Sequence, residues 1–284
     1  MEERLTLGPA WVQHVKPALT RARTAAWQRG GRPPRPGLRI LFYHRVSDDP
    51  DPLAVTPDRF GAQMDLLQAE GYRVVDVAEA ADLLRRREPL DHVIALSFDD
   101  GYRDVADAAL PRLERHGFRA TVFVAPHVVD GTAVFSWYAR QPPVLGWSDI
   151  VALDGASPFS FEAHTLTHPN LTALDDRAAE HEIAGSKLAL EARLGRPVRS
   201  FCYPAGLYGP RDRALVAAAG FETATTCEPG ANTPESDLLA LRRIAIDSRD
   251  RLADFRAKVE GGHDRPSALR AAYRRVRYGA MAAR

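Results

Sequence analysis

The sequence predicts an α/β fold in which parallel strands close into a barrel. Three observations carry this. Short apolar, β-prone runs alternate with helix-like runs through the middle of the chain. Seven or eight such units occur, which favours a closed barrel over an open sheet. The unusual polar residues collect where the strand-like runs end, as they do when ligands are met at the C-terminal ends of parallel strands.

In chain order, strands are expected at Arg39–Tyr43, 72–75, Val93–Phe98, Ala120–Val124, Phe159–Ala163, 199–203, 222–226 and 243–246. Each is short and rich in branched or aromatic residues, and 72–75 is the weakest. Helices are expected at 58–70, 77–87, 104–116, 148–154, 175–194 and 211–219. In 104–116, Val105, Ala108, Ala109 and Leu113 share one face. No repeat recurs at a fixed period. Three divisions follow: residues 1–37 as a helical extension with a Pro/Gly linker, 38–260 as the domain of alternating strands and helices, and 261–284 as a basic tail. The linker is "GGRPPRPG".

Composition excludes several classes. Of 284 residues, 45% are apolar and 26% charged, as in soluble globular proteins, and the net charge of +1 gives no field for nucleic acid. Cys202 and Cys227 are too few for a disulfide framework. The first 37 residues have no continuous apolar core, and no run approaches the ~20 apolar residues of a membrane span. The expected location is the cytoplasm. The tail from Arg265 to Arg284 holds six arginines and no acid, which suits contact with anionic lipid at the inner face of the membrane.

The stretch "SFDDGY" places Asp99 and Asp100 side by side at the end of a buried strand, because like charges in a strand interior would be costly. Asp-Asp-Gly is also an ordinary turn. Other strand ends carry Tyr43-His44, "HTLTH" with His164 and His168, and "YPAG" from Tyr203 to Gly206. Two imidazoles and a carboxylate on one rim suit Zn²⁺ or Fe²⁺ and leave a position open for water or substrate.

"SFDDG", "HTLTH" and "YPAG", in this order and spacing, resemble the polysaccharide deacetylase (NodB-like) family, carbohydrate esterase family four. The resemblance spans roughly residues 38–260 and includes "LFYHRV". It implies a distorted (β/α) barrel of about seven strands and metal-dependent removal of an N-acyl group, usually acetyl, from a sugar. It implies Asp99 as general base and Asp100, His164 and His168 as ligands of one divalent metal, with Zn expected and Co, Ni or Fe alternatives. The Ala205 backbone N–H would stabilise the oxyanion, with Pro204 stiffening the turn and Gly206 allowing close approach.

Two positions depart from the family pattern. An arginine that commonly holds the base is replaced by Cys202, in a form of the motif similar to that of biofilm poly-N-acetylglucosamine deacetylases. Arg243 is the expected substitute, with Arg242 behind it. The last strand has Asp247 where the family often has an acidic histidine. His44, after the first strand, is the expected general acid. Tyr102, Trp137 and Tyr203 are candidates to contact the substrate. His14, His92, His116, His127 and His181 are read as structural or solvated.

The expected function is N-deacetylation of an amino sugar in a cytoplasmic glycan, glycolipid or nucleotide-sugar. A non-sugar amide, imide or formamide hydrolase is the alternative. An Fe²⁺ oxygenase would use similar ligands on a double-stranded β-helix, which lacks this strand–helix alternation. A binding protein without activity fits poorly, because every metal and base position is filled.

Overall fold

A computed structural model describes residues 10–31 and 33–265, with side chains from residue 17 onward. The basic tail beyond Arg265 and the first nine residues lie outside the described residues.

The strands are β1 (Arg39–Tyr43), β2 (Arg45–Val46), β3 (Ala54–Val55), β4 (Arg73–Val75), β5 (Val93–Phe98), β6 (Ala120–Val124), β7 (Phe159–Ala163), β8 (Ser200–Cys202), β9 (Thr223–Thr225) and β10 (Arg243–Ala245). Seven of them form a nearly closed parallel barrel in the order β10-β1-β5-β6-β7-β8-β9. Closure is a parallel bridge between Thr225 and Leu241, just before β10. Leu241 N donates to Ala224 O and Thr226 N donates to Leu241 O, both at 2.8 Å. The weakly expected β4 is real. It pairs with the first half of β5, while β6 pairs with the last two residues. β2 and β3 form a separate pair beside the rim, which the sequence reading did not anticipate.

β1, β5 and β6 are buried along their whole length. Parallel strands covered on both faces become continuous apolar runs, and that made them legible. Because every barrel pairing is parallel, the C-terminal ends share one rim. Tyr43, Phe60, Phe98, Phe159 and Phe161 fill the core, mostly in edge-on contacts.

The helices are α1 (Ala10–Arg29), α2 (Pro57–Ala69), α3 (Val77–Arg85), α4 (Leu110–His116), α5 (Pro126–Val129), α6 (Trp147–Leu153), α7 (Asp176–Leu194), α8 (Pro210–Ala218) and α9 (Leu252–Val259). Thr56, Asp76 and Asp175 cap α2, α3 and α7 by accepting from backbone N–H groups. The helix expected at 104–116 is split. Val105–Ala109 is a wide turn in which Leu110 N donates to Val105 O. Pro111 has no N–H to hold the ordinary pitch there.

The N-terminal extension is docked on the barrel. Trp27 Nε1 donates to Glu260 at 2.7 Å, and Thr24 contacts His263 at 3.3 Å. Arg39 makes a two-pronged bond to Asp264. The unanticipated α9 is the helix that receives α1.

Candidate active site

The rim turns are tight. Asp99 N still donates to Tyr43 O at 2.9 Å, so the ladder reaches the first aspartate. The chain then turns through Asp100 (φ +74°) and Gly101 (φ +67°). A Cβ on Gly101 would come within 2.6 Å of Val124 Cγ1, so only glycine fits. Six non-glycine residues have positive φ among the described residues. Four of them, Asp100, Thr165, His168 and Ala205, stand in these rim turns. Strained backbone of this kind persists where the surroundings fix it, and it gathers at functional sites.

Asp100, His164 and His168 come together. Asp100 Oδ1 lies 3.7 Å from the Nε2 atom of each histidine. That is long for a direct hydrogen bond. It suits donors that share an ion, since ligands each about 2.1 Å from a metal stand about 3.5 Å apart. Asp100 Oδ1 is buried and has no hydrogen-bond partner. His164 Nδ1–H donates to the Cys202 carbonyl at 2.7 Å, which leaves the Nε2 lone pair facing Asp100. Burial, reinforced by His164, pushes the His168 imidazole well below its ordinary value, so it is neutral and able to ligate. Burial pushes Asp100 up to about 7 against the pull of His164. One buried orphan oxygen and two aimed lone pairs form a donor set that fits a divalent cation.

Asp99 belongs to a different arrangement. Arg243 grips it with two bonds, 2.6 Å to Oδ1 and 2.9 Å to Oδ2. The guanidinium is fully buried. It also donates to Ser97 Oγ and to the Thr226 carbonyl, and it packs 4.3 Å from the Phe42 ring centre. Burial alone would raise the Asp99 carboxyl, but Arg243 overrides it and holds it down to about 2. Cys202 Sγ, in the position of the missing arginine, lies 3.0 Å from the same guanidinium. Asp99, His164 and Cys202 also converge closely enough to hold a metal. The Arg243 cation already occupies that corner, which favours the Asp100 cluster as the metal position.

His44 stands on the same rim, partly buried, with Asp99, Arg243 and His164 acting on its charge. Burial, against the pull of Asp99 and together with Arg243 and His164, lowers its imidazole to about 4. It is therefore neutral near pH 7, so to serve as the general acid the sequence suggested it would first take up a proton during the reaction. Asp247 is occupied in a turn, accepting from Arg249 N.

Ala205 is exposed, with φ +52°, in the turn after β8. The added Cβ at Gly206 would sit 2.3 Å from Cys227 N, so the close approach there requires glycine. Tyr203 and Tyr102 are fully buried. Tyr203 stacks on Tyr208 at 4.5 Å and donates to the Leu239 carbonyl. It supports the turn and offers no face to a ligand. Trp137 is partly buried, stacked on Phe135 at 4.7 Å and edge-on to His168 at 4.9 Å.

Some positioning residues were missed. Glu182 on α7 accepts from the N–H groups of Leu166 and Thr167 and from the Thr167 hydroxyl, pinning the loop between the two histidines. Arg45 is buried against Asp49, Asp51 and Asp104. Only their placement on a predicted helix or beside the first strand end was visible in the sequence, which marks no role.

A family model described as polysaccharide deacetylase matches residues 86–224, which include Asp99, Asp100, His164, His168 and Ala205. The YxkH protein of Bacillus subtilis, whose name assigns it provisionally to the polysaccharide deacetylases, is 27% identical over 238 residues, 84% of this chain and 80% of that protein. Among solved structures, the fold is similar to the Streptococcus pyogenes deacetylase PplD in complex with acetate, with TM-score 0.70 and 24% identity over 79% of this chain and 99% of that one. A polysaccharide deacetylase from Bacillus cereus superposes with TM-score 0.66 and 25% identity over 78% of this chain and 69% of that one. Motifs, barrel and relatives agree in what they resemble: the chain is similar to the polysaccharide deacetylases.

Proposed function

We propose that this protein is a metal-dependent N-deacetylase of an N-acetylated amino sugar. The observation that carries the reading is the orphan Asp100 oxygen facing two imidazole lone pairs, beside a carboxylate clamped by Arg243. The resemblance to the polysaccharide deacetylases supports a sugar substrate. Zn²⁺ suits the donor set, with Co²⁺, Ni²⁺ or Fe²⁺ as alternatives.

Asp100, His164 and His168 would hold the cation. When bound, it supplies Lewis acidity to an amide carbonyl and lowers the pKa of water. Asp99 is ionised throughout the neutral range and accepts a proton as water attacks the acyl carbon. Arg243 fixes the orientation of that carboxylate, so it acts through Asp99. The Ala205 N–H is offered to the oxyanion, where a backbone donor costs no reorganisation. As the C–N bond breaks, the leaving nitrogen needs a proton. A protonated Asp99, whose acid form is strong with its carboxyl held near 2, returns it. Water is consumed, and acetate and an amine are released. His44 takes no charge in this scheme.

The proposed setting is cytoplasmic, on a glycan, glycolipid or nucleotide-sugar, with the basic tail touching the membrane. Among the described residues no helix is long and apolar enough to cross a membrane. The test is acetate release from N-acetylglucosamine oligomers, N-acetylated nucleotide-sugars and glycolipids, with Zn²⁺ or Co²⁺ added to metal-stripped protein. Acetate from at least one of these, abolished by a chelator, is expected. Turnover of simple amides, imides or formamides with none of the sugars would overturn the sugar assignment.

A further inference from the structure

The segment after α5 is laced to the Asp-Gly-Tyr turn. Leu145 N donates to Gly101 O, and Arg103 N donates to Pro143 O, both at 2.9 Å. On its other side Tyr138 donates to Asp51 at 2.5 Å. Asp51 is held by Arg45, whose guanidinium lies 5.6 Å from the Tyr102 ring centre. Tyr102 is fully buried in this frame. Three buried atoms here have no formed hydrogen bond: Asp100 Oδ1, the Tyr102 hydroxyl and Trp137 Nε1. The Tyr102 hydroxyl adjoins both Trp137 and the Asp100 carboxylate, short of full bonding geometry.

Proton accounting orders the cluster. Trp137 N–H can only donate. The Tyr138 proton is committed to Asp51. The single Tyr102 proton therefore chooses between a neutral phenol oxygen and a carboxylate, and the charged acceptor makes the stronger bond. The lone pairs of Tyr102 remain for Trp137 N–H.

We infer that Tyr102 is the positioning residue of the metal carboxylate, donating to Asp100 while it accepts from Trp137. Ligating carboxylates are held by outer hydrogen bonds, and loss of such a partner costs about 10–100-fold in metal affinity. The aromatic segment thus orients ligands at two points, Asp100 through Tyr102 and His168 through the Trp137 ring. This replaces the sugar-contact role expected for Tyr102.

The inference rests on the Asp100–His164–His168 reading, and its test separates the two. Metal-stripped wild type, Tyr102→Phe, Trp137→Phe and His164→Ala are titrated with Zn²⁺ against a chromophoric chelator, and the thermal midpoint of each metal-free protein is measured. Tyr102→Phe should weaken Zn²⁺ binding about 10–100-fold at an unchanged metal-free midpoint. Trp137→Phe should weaken it by less. It also reads the same hydrogen-bond chain should Tyr102→Phe fold poorly. Undiminished Zn²⁺ affinity in either phenylalanine variant, with none in His164→Ala, would overturn the Tyr102 role and leave the triad standing. Normal binding by His164→Ala would overturn the triad itself.

Discussion

Two buried carboxylates, Asp100 and Glu162, show how burial alone does not make a site. Asp100 stands in the turn two residues after β5, and Glu162 lies within β7, two residues before His164. Both are about 2% exposed. Burial pushes each up to about 7. Glu162 nevertheless has its partners: Arg196 at 3.0 Å, Arg199 N at 2.8 Å and Ser200 N at 2.5 Å. Arg196 is held in turn by Asp154. Around Glu162 both carboxylate oxygens are met by donors from the fold. At Asp100 one oxygen is left over, facing two lone pairs. The difference is satisfaction: a satisfied buried carboxylate fastens β7 to β8, and an unsatisfied one is poised for a cation.

The comparison can be broken most severely at the triad. His164→Ala should lose stoichiometric metal and, with it, essentially all acetate release. Elemental analysis of the purified variant checks this, and a full complement of metal would remove His164 from the ligand set. Asp99→Asn comes next. It should keep its metal and lose about 10²–10⁴-fold in turnover, the usual worth of a general base. Loss of metal in that variant would mean that the two aspartates have exchanged roles.

Arg243→Lys sharpens the same end of the barrel. Lysine cannot reproduce the two-pronged grip, so turnover should fall by less than in Asp99→Asn. Stability should fall as well, because a buried pair is weakened. The pH dependence has a definite sign. The Asp99 carboxyl is depressed in the fold, so its contribution is present above the unfolded value of about 4 and is lost as pH falls toward about 2. The gap in denaturation midpoint between wild type and variant should therefore narrow across that window. A gap independent of pH would show that Arg243 stabilises by packing on Phe42 alone.

The other carboxylate supplies the control. Glu162→Gln keeps an oxygen for one backbone donor but removes the charge facing Arg196. It should cost about 1–3 kcal/mol of stability. Metal content and turnover per folded molecule should match wild type. A selective loss of metal would mean that the β7–β8 fastening reaches the ligand histidine through the backbone.

These regions also differ in how far the sequence revealed them. The strand ends were legible because β1, β5 and β6 are buried on both faces and stand out as apolar runs. Asp99, Asp100, His164 and His168 interrupt such order at one rim. Glu162 resembled any polar residue on a strand, since its partners Arg196 and Arg199 come from the connection between α7 and β8. The Arg243 grip depends on β10 lying beside β1, a pairing that no local pattern encodes. Tyr102 misled because the sequence shows that an aromatic follows the turn but not that the 143–145 segment covers it. Helix α9 and the small β2–β3 pair carried too few residues to register a period.

The smallest expected effect concerns His44. Its position on the rim made it the natural replacement for the missing acidic histidine. Burial, with Arg243 and His164, holds its imidazole down at about 4, so it is neutral at pH 7. A resident acid works best with a pKa near the operating pH. If Asp99 carries the proton in both directions, His44→Gln should keep its metal and lose less than about tenfold in turnover, well below the general-base range. The loss should be equal for an acetamido sugar and an activated acetyl ester, because neither leaving group would depend on the imidazole. Measuring kcat for both substrates between pH 5 and pH 9 decides it. A loss confined to the amide, largest at low pH where the wild-type imidazole is most protonated, would restore His44 as the acid and reduce Asp99 to the base alone.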